Sequence, residues 1–280
     1  MGYTYAMSDL HGSLSQFRQM LSLIGFSGED RLYLIGDVFD RKPDAMALLM
    51  DVMKRENVTL LLGNHEHMMI DYVEDRLGPL QKASWLDRSG GHYTLAGFQA
   101  LSSWERGLVM GYLNTRCPVF LNRVRCGKRR FRLFHAGPPE LAPANALPKE
   151  MTDRDSGREC EIDEEGKNRR LLEAAGLESL TLAELEKQEP LLREPLLKQV
   201  LWTRLDPGFL PQGETVFLYG HTPVFQYDPA YDDGAPARIW HDREERKFNL
   251  DCGAAPFRPD KTKKGRIGCL RLDDLSCYYV

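Results

Sequence analysis

The sequence predicts an α/β fold, and three observations carry that prediction. Short apolar runs of four to six residues recur, each ended by Gly and a polar cluster. Amphipathic helical stretches separate the first three of them, the strand–helix–strand alternation of parallel pairing. The chain of 280 residues is long enough to bury a large core, so residues 1–280 are taken as one domain. With 37 Lys and Arg against 41 Asp and Glu, the formal charge of −4 supplies no basic coat for nucleic acid. No apolar run approaches the ~18 residues of a membrane span. The first residues lack the charged start and apolar centre of a signal peptide. Gly2 opens a myristoylation pattern that Ala6 breaks. The six scattered cysteines form no CxxC pair, so reduced thiols in a cytoplasmic protein are expected.

The elements follow in order. Residues 2–7 form a strand leading into Ser8-Asp9-Leu10-His11-Gly12, and residues 14–24 place Leu14, Phe17, Leu21 and Ile24 on one helical face. A second strand, 31–35, runs into Gly36-Asp37-Val38-Phe39-Asp40-Arg41. Helix 45–55 then repeats the helical spacing through Leu48, Leu49 and Val52. Strand 58–62 runs into Gly63-Asn64-His65-Glu66, strand 131–134 into His135-Ala136-Gly137, and strand 215–218 into Tyr219-Gly220-His221-Thr222. Runs that are apolar throughout suit strands buried on both faces. The tail carries short strands at 248–250, 268–272 and 277–280, the last two joined as a hairpin at Asp273-Asp274. Two regions have the look of helical insertions, about 68–115, broken at Gly90-Gly91, and about 139–201. The second opens on a charge-dense run, 149–170, expected to be a solvated loop, with a lid as the alternative. Further on, Thr181 and Glu184 have capping-box spacing.

The polar residues at those strand ends are Asp9, His11, Asp37, Asp40, Arg41, Asn64, His65, His135, Arg204 and His221. Open α/β sheets place their sites at the carboxyl ends of strands. Three carboxylates, an asparagine and four of the chain's seven histidines make a hard-to-borderline N/O ligand set without sulfur. That set suits Mn, Fe or Zn, and two ions sharing a carboxylate. A single histidine at a strand end is more often structural, but five such clusters after five strands are not coincidence. His67, His92 and His241 are left without a role.

In that order SDLHG, GDVFDR, GNHE, HAG and GHT resemble the calcineurin-like metallophosphoesterases, specifically the PPP family of serine/threonine phosphatases and, through residues 85–94, its bacterial branch. The resemblance spans residues 1–255. It implies two β-sheets packed together between helical layers, with two metals at the sheet edge. By motif position Asp9 and His11 would bind the first metal, Asp37 would bridge, and Asn64, His135 and His221 would bind the second. Mn is the first expectation for both ions, then Fe or Zn. Arg41, Asn64 and Arg204 would hold the phosphate, and His65, paired with Asp40, would be the general acid. The roles are physically sound. Two ions can activate a shared water for in-line attack at phosphorus, guanidinium groups clamp the non-bridging oxygens, and an Asp-held His can protonate the leaving oxygen near neutral pH.

Departures from the pattern are Ser8 for Gly, HAG for HGG, and Lys42-Pro43 after GDVFDR. Pro43 fits the first turn of the next helix. Lys42 is expected to face solvent, the alternative being a contact with a highly charged substrate. The resulting expectation is a phosphoprotein phosphatase, acting on phosphorylated protein or a small phosphate ester. The alternative is a symmetrical dinucleoside-polyphosphate hydrolase, which would need a nucleoside pocket. Trp85, Tyr93 and Trp104 could stack a base, but their helical setting favours the core. A nuclease or cyclic-nucleotide phosphodiesterase is disfavoured because Gly220-His221-Thr222 lacks the second His of GHxH. A catalytically inactive scaffold is disfavoured because no ligand is missing.

Overall fold

Alternation along the strands decides which layer each residue joins. The computed structural model describes residues 2–140, 176–188, 190–209, 211, 213–227, 235–255 and 264–280. In it β1 (Thr4–Met7), β2 (Arg31–Ile35) and β3 (Val58–Leu61) pair in parallel. β10 (Gly268–Arg271) adds antiparallel to β1 and β11 (Cys277–Tyr279) to β10, giving the order β11-β10-β1-β2-β3. The second sheet runs β6-β4-β5-β7-β9-β8. Its members are β4 (Pro118–Cys126), β5 (Arg129–Phe134), β6 (Ser179–Thr181), β7 (Thr215–Tyr219), β8 (Trp240–His241) and β9 (Lys247–Asn249). β5, β7 and β9 are parallel neighbours.

Ala6, Ile35, Leu61 and Leu270 of the first sheet meet Leu133, Leu218 and Phe248 of the second in one buried cluster. Their chain neighbours point the other way, as the two-residue period of a strand requires. Tyr5, Leu34 and Leu60 therefore pack with Phe17 of α1 (Leu14–Leu23) and with Leu48, Leu49 and Val52 of α2 (Ala45–Met53). Phe134, Phe217 and Tyr219 belong to the same outer cluster as Leu196, Leu197 and Val200. Burial on both faces is why these strands are apolar throughout. The architecture is two mixed sheets packed face to face and flanked by helices, as expected.

The helices of the first inserted-looking region are α3 (Asn64–Val73), α4 (Pro79–Ala83), α5 (Gly91–Ala100) and α6 (Ser103–Arg116), with a π-helical turn at Ser84–Arg88. In the second, the capping box is present: Thr181 N–H donates to Glu184 at 2.8 Å, opening the helix Leu182–Gln188. The charged run 149–170 lies outside the described residues. The hairpin between β10 and β11 is present. β4, β6 and β8 were not anticipated. β4 carries Asn122, Arg123 and Arg125 and shifts register between Leu121 and Val124, which erases its apolar pattern.

Other expectations are corrected. Pro43 precedes α2 by two residues and lies outside its first turn. Lys42 is half-buried, its Nζ donating to Ser13 Oγ at 2.6 Å. Trp85 is core, at 1% exposure, but Tyr93 is 38% and Trp104 72% exposed, so neither is. Cys117, Cys126, Cys252 and Cys269 are buried free thiols and Cys277 an exposed one. Among the described residues no helix is long and apolar enough to cross a membrane.

Candidate active site

The strands stop just before the polar clusters because the clusters turn the chain. Asp9, His11, Asp37, Asp40, Arg41 and His221 all adopt positive φ, between 41° and 67°. Side chains other than Gly rarely occupy that region, and Asp and His tolerate it better than most. These turns bring side chains from separate strands onto one spot at the carboxyl ends of β1, β2, β5 and β7. The flanking glycines admit the close approach: a Cβ on Gly220 would lie 2.1 Å from Asp9 Oδ2, and one on Gly63 2.2 Å from Asp37 Oδ1.

All ten sequence-predicted residues come together there. Asp37 is the hub. Its Oδ2 lies 3.7 Å from His11 Nε2, 3.8 Å from His65 Nε2 and 3.4 Å from His135 Nε2. Two donor groups share it: His11, Asp37 and His65, and Asp37, His135 and His221. Asn64 Oδ1 lies 2.9 Å from His135 Nε2 and 3.0 Å from His221 Nδ1. Asp9 approaches the first group, with Oδ1 4.0 Å from His11 Nε2, and accepts the His221 N–H on Oδ2 at 3.0 Å. His11 and His135 each turn Nδ1 onto a backbone carbonyl, Phe39 O at 2.8 Å and Ile35 O at 2.9 Å. That contact orients each ring and leaves Nε2 on the hub, the support ligating histidines commonly have.

Oxygen and nitrogen atoms so close could share a cation. His135 shows why. Burial opposes its charge, yet the Asp37 carboxylate pushes its pKa up to about 10. Burial, together with Arg41 and His65, keeps His11 well below the usual histidine value; burial, together with His135 and Arg204, does the same for His221. Burial works against the charge on Asp37, but His135 and His65 hold it ionised. Neutral imidazoles about an ionised carboxylate form the state that accepts a divalent ion, which would displace the His135 proton. The donor set, free of sulfur, fits such ions.

Beside this centre His65 Nδ1 lies 2.6 Å from Asp40 Oδ2. The Arg41 Nη2 is 3.4 Å from His65 Nε2, while its Nη1 donates to Ala255 O at 2.6 Å. Its buried Nε has no partner among the described residues. Arg204 reaches the site through Thr222, donating to Oγ1 at 3.2 Å. His67, unassigned from sequence, faces Asp71 at 3.4 Å; His92 and His241 contact backbone carbonyls.

Sequence reasoning missed four contributors. Glu66, fully buried, accepts the N–H groups of Asp37, Val38, Phe39 and Gly63 at 2.8–3.1 Å, bracing two clusters at once. Burial and the nearby Asp37 raise its pKa to about 7. Its place three residues after the Gly63 helix start was a readable signal. Trp85 and Thr94 both hydrogen-bond Asp40, and no local pattern announces that. Asp251, buried near Asp9, caps its own loop through Gly253 N–H at 2.9 Å.

Comparison with known proteins agrees with this picture. The symmetrical bis(5′-nucleosyl)-tetraphosphatase of Nitrosomonas europaea is 45% identical over 65 residues, 22% of this chain and 24% of that protein. The enzyme of the same name from Azotobacter vinelandii is 31% identical over 146 residues, covering 51% and 47%. That from Aromatoleum aromaticum is 30% identical over 164 residues, covering 56% and 53%. The chain therefore spans about a quarter to a half of these curated relatives' length. A crystal structure described provisionally as a diadenosine tetraphosphatase superposes with a TM-score of 0.52 at 15% identity, covering 100% of this chain and 93% of that one, a likeness of fold. The family model for calcineurin-like phosphoesterases matches residues 4–251, from the first strand to the loop beyond β9, and the chain belongs to that family.

Proposed function

We propose that the chain hydrolyses dinucleoside polyphosphates symmetrically, with diadenosine tetraphosphate as the reference substrate and two nucleoside diphosphates as products. The pair of donor groups sharing Asp37 supports hydrolysis at phosphorus. The choice of substrate rests on one observation: the relatives aligned with the chain share the name symmetrical bis(5′-nucleosyl)-tetraphosphatase. The first expectation, a phosphoprotein phosphatase, finds no support among those relatives.

Asp9, His11, Asp37, Asn64, His135 and His221 would hold two divalent ions, with Mn preferred. Bound there, such ions activate water and neutralise charge on phosphoryl oxygens. Arg41 has guanidinium N–H groups to spare and would hold a non-bridging oxygen, with Arg204 and Asn64 completing the cradle. His65 would keep Nδ1–H on Asp40 and give the departing oxygen a second proton, carried on Nε2. Lys42 Nζ donates to Ser13 and is not counted in this cradle.

The test is a side-by-side assay of the Mn-loaded protein on diadenosine tetraphosphate and on phosphoserine and phosphothreonine peptides. ADP as the nucleotide product, formed faster than phosphate leaves the peptides, is the expected result. Faster peptide turnover would return the chain to the phosphoprotein phosphatases. Neither substrate cut, with EDTA without effect, would defeat the hydrolase reading.

A further inference from the structure

Asp40 is fully buried, and three side-chain donors converge on its carboxylate. Oδ2 receives His65 Nδ1 at 2.6 Å and Trp85 Nε1 at 2.8 Å, and Oδ1 receives Thr94 Oγ1 at 2.5 Å. An indole N–H can only donate, so Oδ2 is a proton-free acceptor. His65 must then carry its own proton on Nδ1, and the proton it donates is the second one, on Nε2. Thr94 works in both directions. Its Oγ1 accepts the Asp40 backbone N–H at 2.8 Å and donates to Oδ1, closing a small ring that locks the carboxylate plane.

Both donors come from the region that resembled an insertion. Trp85 lies in the π-helical turn Ser84–Arg88, and π-turns are local departures from α-helix often found at functional sites. The indole is wedged in place: a Cβ on Gly91 would meet its ring at 2.3 Å, and Tyr72 packs on it with ring centroids 4.9 Å apart. Thr94 sits one turn into α5, whose preceding Gly90 carbonyl accepts the Arg41 N–H at 3.3 Å. This helical region thus reaches both residues that follow Phe39.

We propose that Trp85 and Thr94 are positioning residues for proton donation by His65: they fix the orientation of the Asp40 carboxylate that aims the imidazole. The proposal rests on the reading of His65 as general acid. A hydrogen bond to a charged acceptor is worth about ten-fold or more in the population of the aligned arrangement.

Four variants of the Mn-loaded protein test it: His65→Asn, Trp85→Phe, Thr94→Val and Thr94→Ser. Each is assayed on 4-nitrophenyl phosphate, whose leaving group needs little protonation, and on phenyl phosphate, whose leaving group needs more. Trp85→Phe keeps an aromatic ring in the wedge and loses only the donor, and Thr94→Ser restores the hydroxyl. The expected result is a loss of about ten-fold on phenyl phosphate and under about three-fold on 4-nitrophenyl phosphate for Trp85→Phe and Thr94→Val. Thr94→Ser should recover, and all variants should keep their metal content. A split for His65→Asn with none for Trp85→Phe would overturn the positioning role while sparing the general acid. Equal losses for His65→Asn on both esters would overturn the general acid itself. A second readout needs no turnover: the His65 Nδ1–H proton resonance should move in Trp85→Phe, and an unmoved resonance overturns the proposal.

Discussion

Lys247 shows how one buried charge is kept. It is fully buried in β9, with Nζ donating to Pro207 O and lying 5.4 Å from the Trp240 ring centroid. Burial lowers its pKa from the ordinary 10.5 to about 8. Between those values the unfolded chain holds the proton and the folded chain does not, so stability rises with pH across that window. Below about pH 8 both states are charged and the full penalty applies. Urea unfolding of the native protein and Lys247→Met at pH 8 and pH 10 should therefore show the native protein gaining on the variant, by about 2 kcal/mol. A constant difference would mean that Lys247 titrates normally. The same economy governs the site residues: His11, His135 and His65 each give one ring nitrogen to a fixed acceptor so that the other is free for chemistry.

At the scale of elements, a buried ionic clasp joins the helix carrying Asn64 and His65 to the segment that delivers Arg204. Arg193 donates to Asp71 of α3 at 2.7 Å and to Glu186 at 3.2 Å, and Arg76 joins Glu186 at 2.6 Å. From Arg193 the helix Arg193–Leu197 continues through a π-helical turn, Lys198–Trp202, to Thr203 and Arg204. The turn's Val200 carbonyl accepts the Ala136 N–H at 2.7 Å, beside His135. Removing one partner of a buried pair strands the other charge. Arg193→Met and Asp71→Leu are each expected to lose about 3 kcal/mol of unfolding free energy, and the two combined to recover most of it. Urea denaturation of the two singles and the double decides; additive losses would deny the clasp.

The whole molecule converges on Asp37. Its two donor groups draw on clusters from both sheets, β1 and β2 of one, β5 and β7 of the other, with α3 between them. Divalent ions held there would tie the layers together and stabilise the folded chain by mass action, about 2.7 kcal/mol at a hundred-fold excess over the dissociation constant. Thermal melting of the EDTA-treated protein should thus occur at a lower temperature, rising again with added Mn in step with the logarithm of its concentration. Asp37→Asn should abolish that rise, and His241→Asn, at an exposed position far along the second sheet, should leave it intact. Identical melting curves with and without Mn would count against a metal centre.

Much of this was legible in the linear chain. Strands buried on both faces need unbroken apolar runs, and turns at positive φ favour Gly, Asp and His, so both write themselves into local sequence. That is why the ordered clusters from Ser8 to Thr222 led to the fold and to ten residues that the structure brings together. β4, between β6 and β5, left no such mark: β6 covers only Pro118–Leu121, and past it Asn122, Arg123 and Arg125 are half-buried or exposed, so Arg serves there as well as Val. Residues 85–94 stood out as a segment, but not as partners of Asp40: 45 and 54 residues separate Trp85 and Thr94 from it, and only packing of α5 and the π-turn against the β2 loop joins them. Lys42 turned inward for the same reason, drawn by Ser13 across a turn that the sequence does not display. Local composition determined the layers and the donor set; the contacts that orient those donors join residues far apart in the chain, and tertiary packing alone decided them.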